Sequence, residues 1–155
     1  MTAKRIVLGV VVLVVLAVAY YGISPIFRHV RANEAIPTTS QTANPPSSAA
    51  ALPTTQGAPL VGTTGHPASG TAKIVRADGR AYLRYEDFKT LNGPDLYIYL
   101  SKDLNAKEFV SLGKIRATEG NVNYEIPANV NVDEYPYALT WCKQFGVLFN
   151  SVTLN

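Results

Sequence analysis

From Ile6 to Ile23 the chain reads IVLGVVVLVVLAVAYYGI, eighteen residues without a charged side chain. A helix needs about 20 apolar residues to cross the hydrocarbon core of a bilayer, and this run meets that need. Tyr20 and Tyr21 fall near its end, where amphipathic rings favour the headgroup zone. Lys4 and Arg5 precede it and Arg28 and Arg31 follow it. The leading pair favours a cytoplasmic N-terminus, and the trailing pair weakens that bias. A cleaved signal peptide competes with an anchor, because AVA at Ala17 to Ala19 would suit a signal peptidase. The apolar run continues past that point, so residues 1–31 are read as an uncleaved single-pass anchor with basic flanks. On either reading the bulk of the chain lies outside the cytoplasm.

The formal net charge of +3 arises at this end. Residues 70–155 carry ten basic and ten acidic side chains, so there is no basic footprint for nucleic acid. Residues 35–72 contain no Lys, Arg, Asp or Glu, and six of the ten prolines lie between Pro37 and Pro67 among Thr, Ser, Ala, Gly and Gln. Such a composition buries too little apolar surface to offset chain entropy. Residues 32–69 are therefore expected to be a linker, a stalk of roughly 35 Å root-mean-square span that holds a domain off the bilayer.

Residues 70–155 read as all-β. Two-residue alternation recurs in TAKIV (71–75), AYLRY (81–85), LYIYL (96–100), VNYEI (122–126), YALTWCKQF (137–145) and VLF (147–149). β-branched and aromatic residues are enriched in them. Asp78-Gly79 predicts a tight hairpin, and Asn92-Gly93-Pro94-Asp95, Glu119-Gly120-Asn121 and Gly146 punctuate the rest. Spacing of this kind predicts a small antiparallel sandwich or barrel, with a short helical turn between Lys102 and Val110. In the motif around Gly93, glycine is expected to supply a backbone angle barred to other residues, and Pro94 to fix the next. Leu96, Ile98 and Leu100 would then face the core, with Tyr97 and Tyr99 on the other face.

Candidate chemistry is sparse. His29 falls at the membrane flank and His66 in the expected linker, so the domain as bounded here holds no histidine, no Cys/His zinc set and no Cys-His or Ser-His pair. No P-loop, nucleophile elbow or C-x-x-C occurs. No metal site is predicted, no cofactor can be named, and enzyme status stays open in the absence of a catalytic constellation. One unpaired thiol remains, Cys142, beside the single Trp141. On a strand the two point to opposite faces. Either the indole is in the core and Cys142 faces a partly polar surface, or Ala138 and Cys142 are in the core and Trp141 is covered by a partner or by tyrosines. Free cysteine is usually buried. A reactive thiol would need a lowered pKa, for which Lys143 gives only weak support.

Four stretches in order, DFKTLNGPDLYIYLS (87–101), SLGKI (111–115), GNVNYEIP (120–127) and WCKQFGVLF (141–149), resemble the DM-thirteen domain family, a domain associated with electron transfer. The resemblance covers residues 70–155. It implies a small β domain on exported or membrane-bound proteins, a redox role for the cysteine that aligns with Cys142, and a separate redox partner protein. This chain departs from the family pattern at Val122, where glutamine is usual, at Thr140, where a large aliphatic residue is common, and at Asn150, which replaces a small residue. The combined expectation is a membrane-tethered extracytoplasmic domain with redox work centred on Cys142, supported by Trp141, Tyr124, Tyr97 and Tyr99. Asn92, Gly93, Pro94 and Asp95 serve the fold. The alternative is a non-catalytic adhesion or interaction module in which Cys142 is structural. A disulfide-linked dimer through Cys142 is a further partner expectation.

Overall fold

The computed structural model describes residues 2–23, 30–38 and 57–154. The apolar run forms α1 (Thr2–Ile23). Its window Lys4–Tyr21 has a mean hydropathy of 2.1 and no buried residue, so α1 is long and apolar enough to cross a membrane.

Ten strands follow in two five-stranded sheets. They are β1 (Arg31–Asn33), β2 (Ala58–Pro59), β3 (Val61–Gly62), β4 (Ala68–Ala77), β5 (Arg80–Thr90), β6 (Leu96–Ser101), β7 (Phe109–Lys114), β8 (Glu119–Ile126), β9 (Tyr137–Cys142) and β10 (Val147–Thr153). One sheet has the order β1-β8-β5-β4-β2 and the other β3-β10-β9-β6-β7. Every pairing between described strands is antiparallel except β1 with β8. The fold is the expected β-sandwich.

Alternation builds the core. Leu83, Tyr85 and Phe88 of β5 meet Val122, Tyr124 and Ile126 of β8 on the inner face of one sheet, and Ile98, Leu100, Ala138 and Val152 fill the other. Asp78 and Gly79 turn β4 into β5 with both φ angles positive, at 50° and 72°, the twist that a two-residue hairpin favours.

Strands lie at both ends of the expected linker, with all of β1 but Arg31, β2, β3 and the first residues of β4 falling inside 32–69. Only residues 39–56 of it lie outside the described residues. β1 is an edge strand. It pairs Arg31 with Glu119, Ala32 with Gly120 and Asn33 with Asn121. Gly120, at φ +104°, makes room for it, since a Cβ there would collide with the Ala32 carbonyl. The segment after β1 is clamped by Arg84, which is 4 % exposed. Arg84 Nη1 donates to the carbonyls of Glu34 (2.7 Å) and Ala35 (3.2 Å) and to Asn123 Oδ1 (3.1 Å). The Glu34 carboxylate in turn accepts from the Asn123 amide at 2.9 Å. The helical turn expected between Lys102 and Val110 does not form. The Asp103 carboxylate accepts the amides of Asn105, Lys107 and Glu108 instead, which folds the segment into a non-helical turn.

Candidate functional site

Strand register gathers one set of termini at one end of the sandwich. β1 and β8 start there, since Arg31 lies beside Glu119, and β5 ends there, with Lys89 beside Glu119. In the other sheet Leu96 at the start of β6 and Val147 at the start of β10 both pair with Cys142 at the end of β9. We call this the entry end, because the chain joins the sandwich there from α1.

Cys142 lies at the entry end with no exposed surface. It forms a small cluster with Leu96 and Phe149, against which Leu91 and Ile115 pack. The arrangement is the second of the two sequence alternatives: Ala138, Thr140 and Cys142 face inward, all fully buried, and Trp141 is half-buried on the outer face. With no exposed surface, the sulfur is reached by a reagent or a second thiol only through local opening of this end.

The Asn92–Asp95 motif braces this cluster. The Gly93 amide donates to Asn92 Oδ1 at 2.9 Å, the Asp95 carbonyl accepts the Lys143 amide at 2.9 Å, and the Asp95 carboxylate pairs with Lys114 at 3.0 Å. The expectation that Gly93 supplies an unusual backbone angle does not hold, as its φ is not in the left-handed region. Glycine is used for close approach, because a Cβ would lie 3.1 Å from both Leu96 Cδ2 and Phe149 Cζ.

The supporting aromatics do not surround Cys142. Tyr97 and Tyr99 face outward from β6 with ring centroids 6.1 Å apart. Tyr97 lies under the ammonium groups of Lys143 (5.3 Å) and Lys114 (5.8 Å), and Tyr99 stacks on Phe109 at 4.1 Å. Trp141 is in register with Tyr97 on that same face. Tyr124 belongs to the main core of the opposite sheet. Its hydroxyl accepts the Arg116 amide at 3.0 Å, and the Arg116 guanidinium sits 5.0 Å over its ring. Burial pushes the Tyr99 and Tyr124 phenols above their ordinary pKa. Among the described residues no group of three His, Cys, Asp or Glu is arranged to hold a metal ion.

Two features escaped the sequence. His66, assigned to the linker, belongs to the sandwich: its ring stacks on Phe149 at 3.9 Å, and Thr63 Oγ1 lies 3.1 Å from its Nδ1. Phe149 thus contacts the imidazole and packs in the cluster of the thiol. The second feature is a polar patch inside the core. Tyr85 Oη, Thr140 Oγ1 and Asn150 Oδ1 are buried there without a well-formed hydrogen bond, the Tyr85 and Thr140 hydroxyls approaching each other. Thr140 and Asn150 pair across β9 and β10, so two of the three departures from the family pattern are direct neighbours. Asn150 Nδ2 is satisfied by Thr90 Oγ1 at 2.9 Å. Burial holds the Tyr85 phenol far above its ordinary pKa.

The class this defines is a small β-sandwich with one buried thiol, preceded by a helix long and apolar enough to cross a membrane. Residues 60–154 match the family described as Electron transfer DM13, and the chain belongs to that family. The match takes in β3 and the residues up to β4, ahead of the boundary at 70 drawn from sequence. No curated protein and no solved structure matches the chain.

Proposed function

We propose that the chain is a membrane-tethered, extracytoplasmic electron-transfer component that works with a separate redox partner protein, with its redox role centred on Cys142. The observation that carries this reading is the electron-transfer family match over residues 60–154 behind a helix of spanning length. Lys4 and Arg5 ahead of α1 support a cytoplasmic N-terminus and an outward-facing sandwich. The sealed position of the sulfur limits how it works. Bond formation at Sγ requires local opening of the cluster that buries it.

One observation favours a second reading. Cys142 has no exposed surface and packs with the apolar side chains of Leu96, Phe149, Leu91 and Ile115, whereas thiolate chemistry favours a partly exposed, electropositive setting. On this reading Cys142 is a packing residue and the domain is a non-catalytic adhesion or interaction module.

The full chain in lipid vesicles, treated with hydrogen peroxide and then dithiothreitol, separates the two. A redox role predicts loss of the alkylatable thiol faster than global unfolding, reversed by the reductant. A thiol that is lost only at the unfolding rate, with Cys142→Ala changing the melting temperature alone, would leave the packing role.

A further inference from the structure

The ends of the sandwich are not equivalent with respect to α1. α1 stops at Ile23 and β1 starts at Arg31, with residues 24–30 between them. Fully extended, this connection reaches no more than about 28 Å. Val30 is already fixed at the entry end, its amide donating to Thr118 Oγ1 (3.0 Å) and its carbonyl accepting the Thr118 amide (2.8 Å). The far end of the strands lies roughly 35 Å further on, at about 3.4 Å per residue over the length of β5. The uncharged stretch expected to hold the domain away from the bilayer enters the fold only after β1, so it adds nothing to this reach.

An apolar groove opens at the entry end between the β9–β10 hairpin and the Leu91–Pro94 loop. Its walls include Leu91, Pro94, Phe145, Val147 and Phe149, and with Tyr21 of α1 counted at its rim it encloses ≈ 400 Å³. Phe145, at the hairpin tip, is 66 % exposed, and Val147 is 37 % exposed. Lys143 stands beside them on the hairpin and is exposed. Apolar side chains flanked by a cation match the layered chemistry of a bilayer surface, where rings enter the acyl boundary and ammonium groups meet anionic headgroups. The far end also exposes apolar groups, Leu104 and Phe109, but the connection keeps the entry end within about 28 Å of the end of α1.

We propose that the entry end of the sandwich rests on the bilayer that holds α1, with Phe145 and Val147 in the interfacial layer and Lys143 at the headgroups. This rests on the reading of α1 as a membrane anchor. The β9–β10 hairpin then lies against lipid and directly covers the Cys142 cluster.

The test uses the full chain in vesicles of phosphatidylcholine and phosphatidylglycerol. Phe145→Cys and Leu104→Cys, each in a Cys142→Ala background, carry an environment-sensitive fluorophore. Nitroxide-bearing lipids are expected to quench the label at 145 several-fold more than the label at 104, with the order reversed for aqueous iodide. Hydrogen exchange on the unmodified chain gives the same comparison without substitutions: amides 143–147 should be protected in vesicles relative to detergent, and amides 102–108 unchanged. Equal quenching and equal exchange at both ends would overturn the docking. An alkaline wash separates the two layers of the inference. A chain that washes off the vesicles loses its anchor and the docking with it. A chain that stays, with 145 open to iodide, loses the docking alone.

Discussion

Two apolar clusters share the interior of this sandwich. The larger joins both sheets through Leu83, Tyr85, Phe88, Val122, Ile98 and Leu100, all without solvent contact. The smaller has only Leu96, Cys142 and Phe149 at its centre, closed by Leu91, Ile115 and a bracing loop. In the first, residues of regular strands interlock across two layers. In the second, one sheet is capped by loop residues, and Phe149 reaches outward to His66 and the groove. A large interlocked core carries fold stability, and a small one beside a surface opening is where local motion costs least. The only thiol lies in the second.

The sharpest probe of this contrast is truncation on each side. Phe88→Ala should destabilise the sandwich by about 4 kcal/mol, within the range for a buried aromatic ring. Cys142→Ala, which deletes one atom in the end cluster, should cost about 1 kcal/mol. Chemical denaturation of the two variants checks both values, and equal losses would dissolve the distinction between the clusters.

A second, intermediate effect concerns the outer face of β4 and β5. Lys73 donates to Glu86 at 2.9 Å and Arg84 lies 3.4 Å from the same carboxylate, which holds the Glu86 pKa below its ordinary 4.5. A group depressed on folding adds stability above its unfolded pKa and loses it as pH falls through the folded value. Wild type should therefore melt higher than Glu86→Gln at pH 7, with the gap closing below pH 4.5. A gap that stays constant down to pH 3 would remove the linkage and leave the charges idle.

The smallest expected effect lies at the boundary between the clusters. Thr140→Val removes a buried hydroxyl that makes no well-formed hydrogen bond. Such a change should be neutral or stabilising, by about 1 kcal/mol at most. A loss of more than that would mean that Thr140 bonds to Tyr85 across the sheets, tying the polar patch into the main core.

Where the chain repeats a period, the residues sufficed. Leu96, Ile98 and Leu100 face inward as their alternation requires, Asp78-Gly79 makes the turn, and Ile6–Ile23 forms the helix. β1 was invisible, because Arg-Ala-Asn has no apolar face and its partners Glu119, Gly120 and Asn121 lie almost ninety positions away. β2 and β3 are two residues each, too short to show any period. His66 was assigned to a linker by the composition of its neighbours, and only its stack on Phe149 brought it to the site. The strand pattern showed that Trp141 and Cys142 diverge, but not which of them is enclosed.

The sequence by itself determined a helix of spanning length, a charge-balanced β domain and a single thiol, because hydrophobic runs, two-residue alternation and composition act over neighbouring residues. Tertiary structure decided that the thiol is sealed, that His66 and β1 belong to the sandwich, and that the end nearest α1 carries the groove. Those facts depend on which distant backbone edges pair, and pairing energy is gained only when both partners are present.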